Sequence, residues 1–127
     1  MQNSTKNKQN AIAFYDLMFN QNQPDKAIEK YAGESYTQHN PHVEDGKEGF
    51  IKYFHKMQQE YPGKKVYFKK AIAEEDLVVL QCHQVWPGNQ EYAGIDIFRF
   101  DDNGKIVEHW DVLQVIPQKM AHDNGMF

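Results

Sequence analysis

The residues in this chain that could do chemistry fall where a β-sheet core is expected. The densest group is KIVEHWDVLQVI, residues 105–116, in which Glu108, His109, Trp110 and Asp111 interrupt a run that otherwise reads as strand. Side chains two apart in a strand share a face, so His109 and Asp111 sit with Val107, Leu113 and Val115, while Glu108 and Trp110 sit with Ile106, Val112 and Ile116. By the same rule Asp96 lies with Phe98 and Phe100, and His83 with Leu77, Val79 and Val85. Neither face separates charged from apolar residues. A few polar groups in apolar walls describe a small-molecule pocket, where a desolvated carboxyl has its pKa raised towards the range useful for proton transfer. Plainer readings compete: Asp96 as an edge-strand charge or a partner of Arg99, Asp111 as a surface ion pair, His83 as a satisfied sheet histidine, and His109 as a solvent-facing neighbour of Glu108.

Other chemistries lack their residues. His39 and His42 stand three apart in QHNPH, but Pro41 breaks helical spacing and no HExxH-type set follows, so no metal is expected. There is no GxSxG, P-loop or GxGxxG motif, which removes support for serine hydrolase, nucleotide-phosphate and dinucleotide readings. Cys82 is the one cysteine; it can form no internal disulfide and reads as a small buried strand residue.

The elements that must position these residues separate into two halves. Ala11, Phe14, Tyr15, Met18 and Phe19 recur at three- and four-residue steps and predict a first helix from Asn10, after a polar lead-in at 1–9. Residues 22–34, with Pro24 suited to a first turn and Gly33 to an end, predict a short second helix. Residues 34–40, ESYTQHN, predict an isolated short strand before Pro41. Asp45 and Glu48 open a third helix that buries Phe50, Ile51, Phe54, Met57 and Tyr61 and stops at Pro62-Gly63. Four strand-like runs follow, at 64–76, 77–88, 90–104 and 105–116, parted by an acidic turn at 74–76, by Pro87-Gly88-Asn89 and by Asp102-Asn103-Gly104. Short connections make them an antiparallel meander. The expected architecture is α+β, with three helices from the N-terminal half packed on one face of a curved sheet.

Composition sets the outer limits. The 127 residues are one domain's worth, so residues 1–127 are expected to form a single domain. A net charge of −4, with basic pairs only at Lys64–Lys65 and Lys69–Lys70, offers no footprint for nucleic acid. The N-terminal MQNSTKNKQN is not an apolar targeting segment and no run is long enough to span a membrane, so a cytoplasmic protein without a membrane partner is expected. The terminal position of residues 118–127 favours disorder, with Met126 and Phe127 as an apolar end able to cover a pocket or partner.

Several strings carry a family resemblance. YTQHNP after two helices, DG and GF opening a third, and above all DIFRFDDNGKIVEHWDVLQ resemble the SnoaL-like group of the nuclear-transport-factor-2-like superfamily, over Asn10 to Pro117. The resemblance implies a cone-shaped fold, a curved antiparallel sheet wrapped by three helices around a pocket. It also implies, from the group's best-understood members, a polyketide cyclase that closes a ring by intramolecular aldol condensation without metal or organic cofactor. By position it places Asp111 at the acid/base aspartate, Asp96 at a polar pocket position that is often histidine, and His39 and Asn40 on the short strand at the pocket floor.

These residues suit that chemistry. Aldol ring closure needs a proton taken from a carbon beside a carbonyl and a proton given to the alkoxide formed. Asp111 is expected as base and then acid, with Asp96 and His39 beside it in the catalytic set. Asn40, His83 and His109 are expected to orient a small hydrophobic carbonyl compound, and Trp110, Phe98 and Tyr36 to wall it. The alternatives in the same fold are a non-catalytic small-molecule binder and an interaction module, with a homodimer through the sheet expected as the partner.

Overall fold

A computed structural model of the chain describes residues 2–127. Helix α1 spans Ser4–Tyr15 and runs into a π-helical turn at Asp16–Asn20; α2 is Pro24–Tyr31, β1 Ala32–Gln38 and α3 Gly46–Glu60. Strands β2 (Lys65–Glu74), β3 (Leu77–Val85), β4 (Glu91–Phe100) and β5 (Ile106–Val115) complete one sheet, ordered β1-β5-β4-β3-β2. The fold is α+β, with three helices over one face of a curved sheet.

Two expectations need correction. Helix α1 starts at Ser4, inside the expected polar lead-in, whose Met1 lies outside the described residues. Apolar spacing could not reveal this turn because polar contacts build it: Asn3 caps the Lys6 amide at 3.0 Å, and Asn7 donates from Nδ2 to Gln2 Oε1 at 2.9 Å. Strand β1 is also not isolated. It begins at Ala32 and pairs parallel with β5, setting Thr37 against Glu108 and Gln38 against His109. A register shift separates these pairs from Ala32 and Ile106 at its start.

The meander is antiparallel as the short turns require, and its register builds the site. The β4–β5 connection is a three-residue turn at 102–104, closed by the Asp101 amide donating to the Lys105 carbonyl at 2.8 Å. Gly104 takes the left-handed conformation (φ 75°), and Asp101 Oδ1 accepts from the Asn103 and Lys105 amides at 2.9 Å each. This hairpin sets Asp96 directly opposite Asp111 and Phe98 opposite His109. Bulges between Phe68 and Lys70 and between Arg99 and Phe100 add local bend and twist.

The core lies between the helices and the inner sheet face. Val78, Leu80 and Cys82 of β3, Phe98 and Phe100 of β4 and Ile106 of β5 are buried against Ala11, Phe14, Tyr15, Met18 and Phe19. The π turn is tied to β2 by Asn20, whose amide exchanges hydrogen bonds with the Val66 backbone at 2.8 and 3.1 Å. Outside the sheet, Tyr67, Ile72, Ile95 and Val112 are exposed. The tail after β5 has no regular structure and returns to this outer face, not to the pocket. Gln81 donates to the Met126 carbonyl at 3.3 Å, and the Phe127 ring lies 5.1 Å from that of His83. No helix among the described residues is long and apolar enough to cross a membrane.

One lysine is buried beneath the π turn. Lys64 donates to the Phe19 carbonyl and, at 2.8 Å, to Asn22 Oδ1, closing the end of that turn. Burial lowers its pKa from 10.5 to about 8. Between those values the unfolded chain holds a proton that the folded protein has shed, so this group adds stability as the pH rises through the interval. Denaturant titrations of the wild type and Lys64→Met should therefore show the wild type gaining on the variant from about pH 8 to about pH 10.5.

Candidate active site

The pocket opens between the helices and the inner face of β3, β4 and β5. It spans about 430 Å³ with its open mouth. Tyr53 and Phe54 of α3 are partly exposed in its lining. Phe14, Phe19, Phe50 and Phe98 give apolar walls, and the polar groups gather on one side.

That polar side is built by the strand pairing. Asp96 and Asp111 are cross-strand neighbours on the inner face, where two carboxylates repel, and His109 comes between them. His109 Nε2 lies 2.9 Å from Asp96 Oδ1 and 4.0 Å from Asp111 Oδ2. Asn40, just beyond β1, donates from Nδ2 to Asp111 Oδ1 at 2.8 Å. Gln38 at the end of β1 accepts on Oε1 from His109 Nδ1 at 2.7 Å. Burial holds the Asp111 carboxyl above its ordinary 3.8 and the Asp96 charge adds to this, against the opposing pull of His109 and the Asn40 hydrogen bond.

The phenols of the pocket are neutral donors. Burial pushes Tyr15 and Tyr36 well above their usual range, and the nearby Asp96 and Asp111 charges reinforce it. The Tyr36 hydroxyl is buried with no hydrogen-bond partner among the described residues. Gln84 donates from Nε2 to the Tyr15 oxygen and accepts at Oε1 from Trp86 Nε1 at 2.8 Å, which orients its amide. Burial and the adjacent Asp96 push the Cys82 thiol up, so it is no nucleophile.

Asp96, His109 and Asp111 are also the one group among the described residues whose ligand atoms could gather on a metal ion, all within 4.8 Å of one another. The 2.9 Å contact of His109 with Asp96 is met equally by a shared proton, and the chemistry below uses that proton.

Of the residues singled out from sequence, Asp111, Asp96, His109, Asn40, Tyr36 and Phe98 all line this pocket. His39, His83 and Trp110 do not. His83 is on the outer face, 2.6 Å from Glu91. Trp110 is also outside, with the His39 ring stacked on it at 4.8 Å and Arg99 over it at 5.5 Å. His39 Nε2 contacts Glu108 at 2.7 Å, and Arg99 bridges Glu108 to Asp76, which leaves Asp96 without the arginine partner that its plainer reading required. Both faces of β3 carry apolar residues, so alternation alone could not tell which was concave. Gln84 was within reach of alternation, since it shares a face with Val78, Leu80 and Cys82. Gln38 was not, because its role depends on the β1–β5 pairing.

Comparison with known proteins agrees with this architecture. Residues 9–120 match the SnoaL-like polyketide cyclase family. Among solved structures, TsrD from Streptomyces laurentii is similar with a TM-score of 0.74 and 18% identity, over 89% of this chain and 91% of that one. A candidate polyketide cyclase from Acidithiobacillus ferrooxidans gives 0.73 and 21%, over 89% and 91%. An epoxide hydrolase of the LEH-like type from M. tuberculosis gives 0.70 and 16%, over 87% and 84%. At these identities the likeness is one of fold. No curated protein matches the sequence at a significant level.

Proposed function

The chain belongs to the SnoaL-like polyketide cyclase family, and from that premise we propose that it is a cofactor-independent acid/base enzyme acting on a small hydrophobic carbonyl compound. The observation that carries this reading is Asp111: a carboxyl on the wall of an aromatic pocket, raised by burial, with Oδ1 held by Asn40 and Oδ2 directed to the His109 side. A carboxyl so placed takes a proton from carbon more readily than one in water, because its acidity lies nearer the working pH. The apolar walls hold a flat ligand with its carbon acid at Asp111. Neutral donors, the Tyr36 hydroxyl and the Asn40 amide, face the oxygen on which charge develops. Aldol ring closure and isomerisation share this first step and differ in which atom receives the proton or the bond.

A simple carbon acid tests the shared step without knowledge of the natural substrate. The protein should accelerate exchange of the α-protons of β-tetralone in deuterium oxide, saturably with ketone concentration. Binding of the ketone, read from Trp86 fluorescence, with no exchange would instead favour the non-catalytic binder. A homodimer through the outer sheet face belongs to the same proposal, supported by exposed Tyr67, Ile72, Ile95 and Val112.

A further inference from the structure

The amide of Gln38 determines where a proton sits in the pocket. Its Oε1 lies 3.1 Å from the backbone nitrogens of His39 and Asn40 as well as 2.7 Å from His109 Nδ1. Backbone N–H groups only donate, so the atom they face must be the amide oxygen. An amide oxygen only accepts, so His109 Nδ1 must carry a hydrogen. If His109 is neutral, its Nε2 is then a bare acceptor, yet it stands 2.9 Å from Asp96 Oδ1. Two acceptors do not make such a contact. One proton lies between them, either on Nε2, as an imidazolium facing a carboxylate, or on Asp96 Oδ1, as a carboxylic acid facing a neutral ring.

We propose that Gln38 is a positioning residue that fixes His109 with a hydrogen on Nδ1 and thereby stores one proton between His109 Nε2 and Asp96 Oδ1, as the proton donor of the site. This rests on the reading of Asp111 as the base. Asp111 takes a proton from the substrate carbon, and the electron pair of that bond moves into the carbonyl. The stored proton leaves the His109–Asp96 pair for the substrate oxygen on which charge has formed. After product leaves, the proton on Asp111 returns across the 4.0 Å gap to His109 Nε2, and both groups are restored. Acid and base are thus separate groups, coupled by the ring that Gln38 orients. No other residue among the described ones accepts from His109 Nδ1.

The test uses proton–nitrogen correlation spectra of the histidine rings in isotope-labelled protein, with His109 assigned by His109→Gln. In the wild type, Nδ1 of His109 should be protonated. Gln38→Met, of similar shape but without the acceptor, should shift the ring to a hydrogen on Nε2 donating to Asp96, and Gln38→Glu, which keeps an acceptor oxygen, should restore the wild-type pattern. Exchange of β-tetralone should follow, with kcat lowered about 10-fold or more in Gln38→Met, KM little changed, and recovery in Gln38→Glu. A wild-type ring bare at Nδ1, or a ring unchanged by Gln38→Met, would overturn the proposal. Because the spectra need no substrate, they judge Gln38 even if exchange is absent, an outcome that would sink the enzyme reading separately.

Discussion

Asp111→Asn should abolish α-proton exchange by about 10²–10⁴-fold, the contribution of a positioned acid/base group, while binding the same ketone almost as well. Asparagine fills the same volume and can still accept from Asn40, whose Nδ2 lies 2.8 Å from Asp111 Oδ1. What it cannot do is take a proton. The same variant should be more stable than the wild type at neutral pH. Asp111 holds its proton more tightly in the folded protein than in the unfolded chain, so its favourable contribution is complete below the ordinary 3.8 and is lost as the pH rises through the raised folded value. At neutral pH the buried carboxylate is a cost that asparagine removes. Thermal melts should show the variant's advantage at pH 7 shrinking towards zero in acid. Loss of activity with a gain in stability is the signature of a group retained for its chemistry.

Phe14→Ala should be the most destabilising single truncation, at about 3–5 kcal/mol. Phe14 is 1% exposed, and the rings of Phe50, Phe98, Tyr36 and Tyr31 surround it at 5.3, 6.0, 6.3 and 6.4 Å. It joins α1 to α2, α3, β1 and β4 at once, so no single element can move in to fill the void. For a domain of ordinary stability, about 5–15 kcal/mol, such a loss removes a large share of the total. Urea titrations should show the midpoint falling by that loss divided by the slope, with little change in the slope itself. Phe14→Leu should retain much of the stability. Because Phe14 also walls the pocket, ketone affinity should fall in the alanine variant even under conditions where it stays folded.

The part of the site legible in the sequence is the part that strand alternation governs. Asp96, Asp111 and His109 fall on the same face as Phe98, and the β4–β5 turn puts the two carboxyls opposite one another. Alternation cannot choose where both faces of a strand are apolar, as for His83 on β3; Trp110 lies on the face opposite Asp111, as alternation requires, so its expected place in the pocket wall ran against that rule. The parallel pairing of β1 with β5 was also hidden, since it joins segments some seventy residues apart with no connecting turn to announce it. Gln38 follows from that pairing alone. The start of α1 is not legible in apolar spacing because its first turn is fastened by Asn3 and Asn7 rather than by an apolar face.

The most direct test is whether ionisation of Asp111 and catalysis are one event. The rising limb of the pH profile of β-tetralone exchange should have its inflection above 3.8, the ordinary value for this carboxyl, and that inflection should coincide with the carbon NMR titration of the Asp111 carboxyl in the same protein. An exchange rate that stays flat while Asp111 titrates, or that rises with another group, would contradict Asp111 as the base.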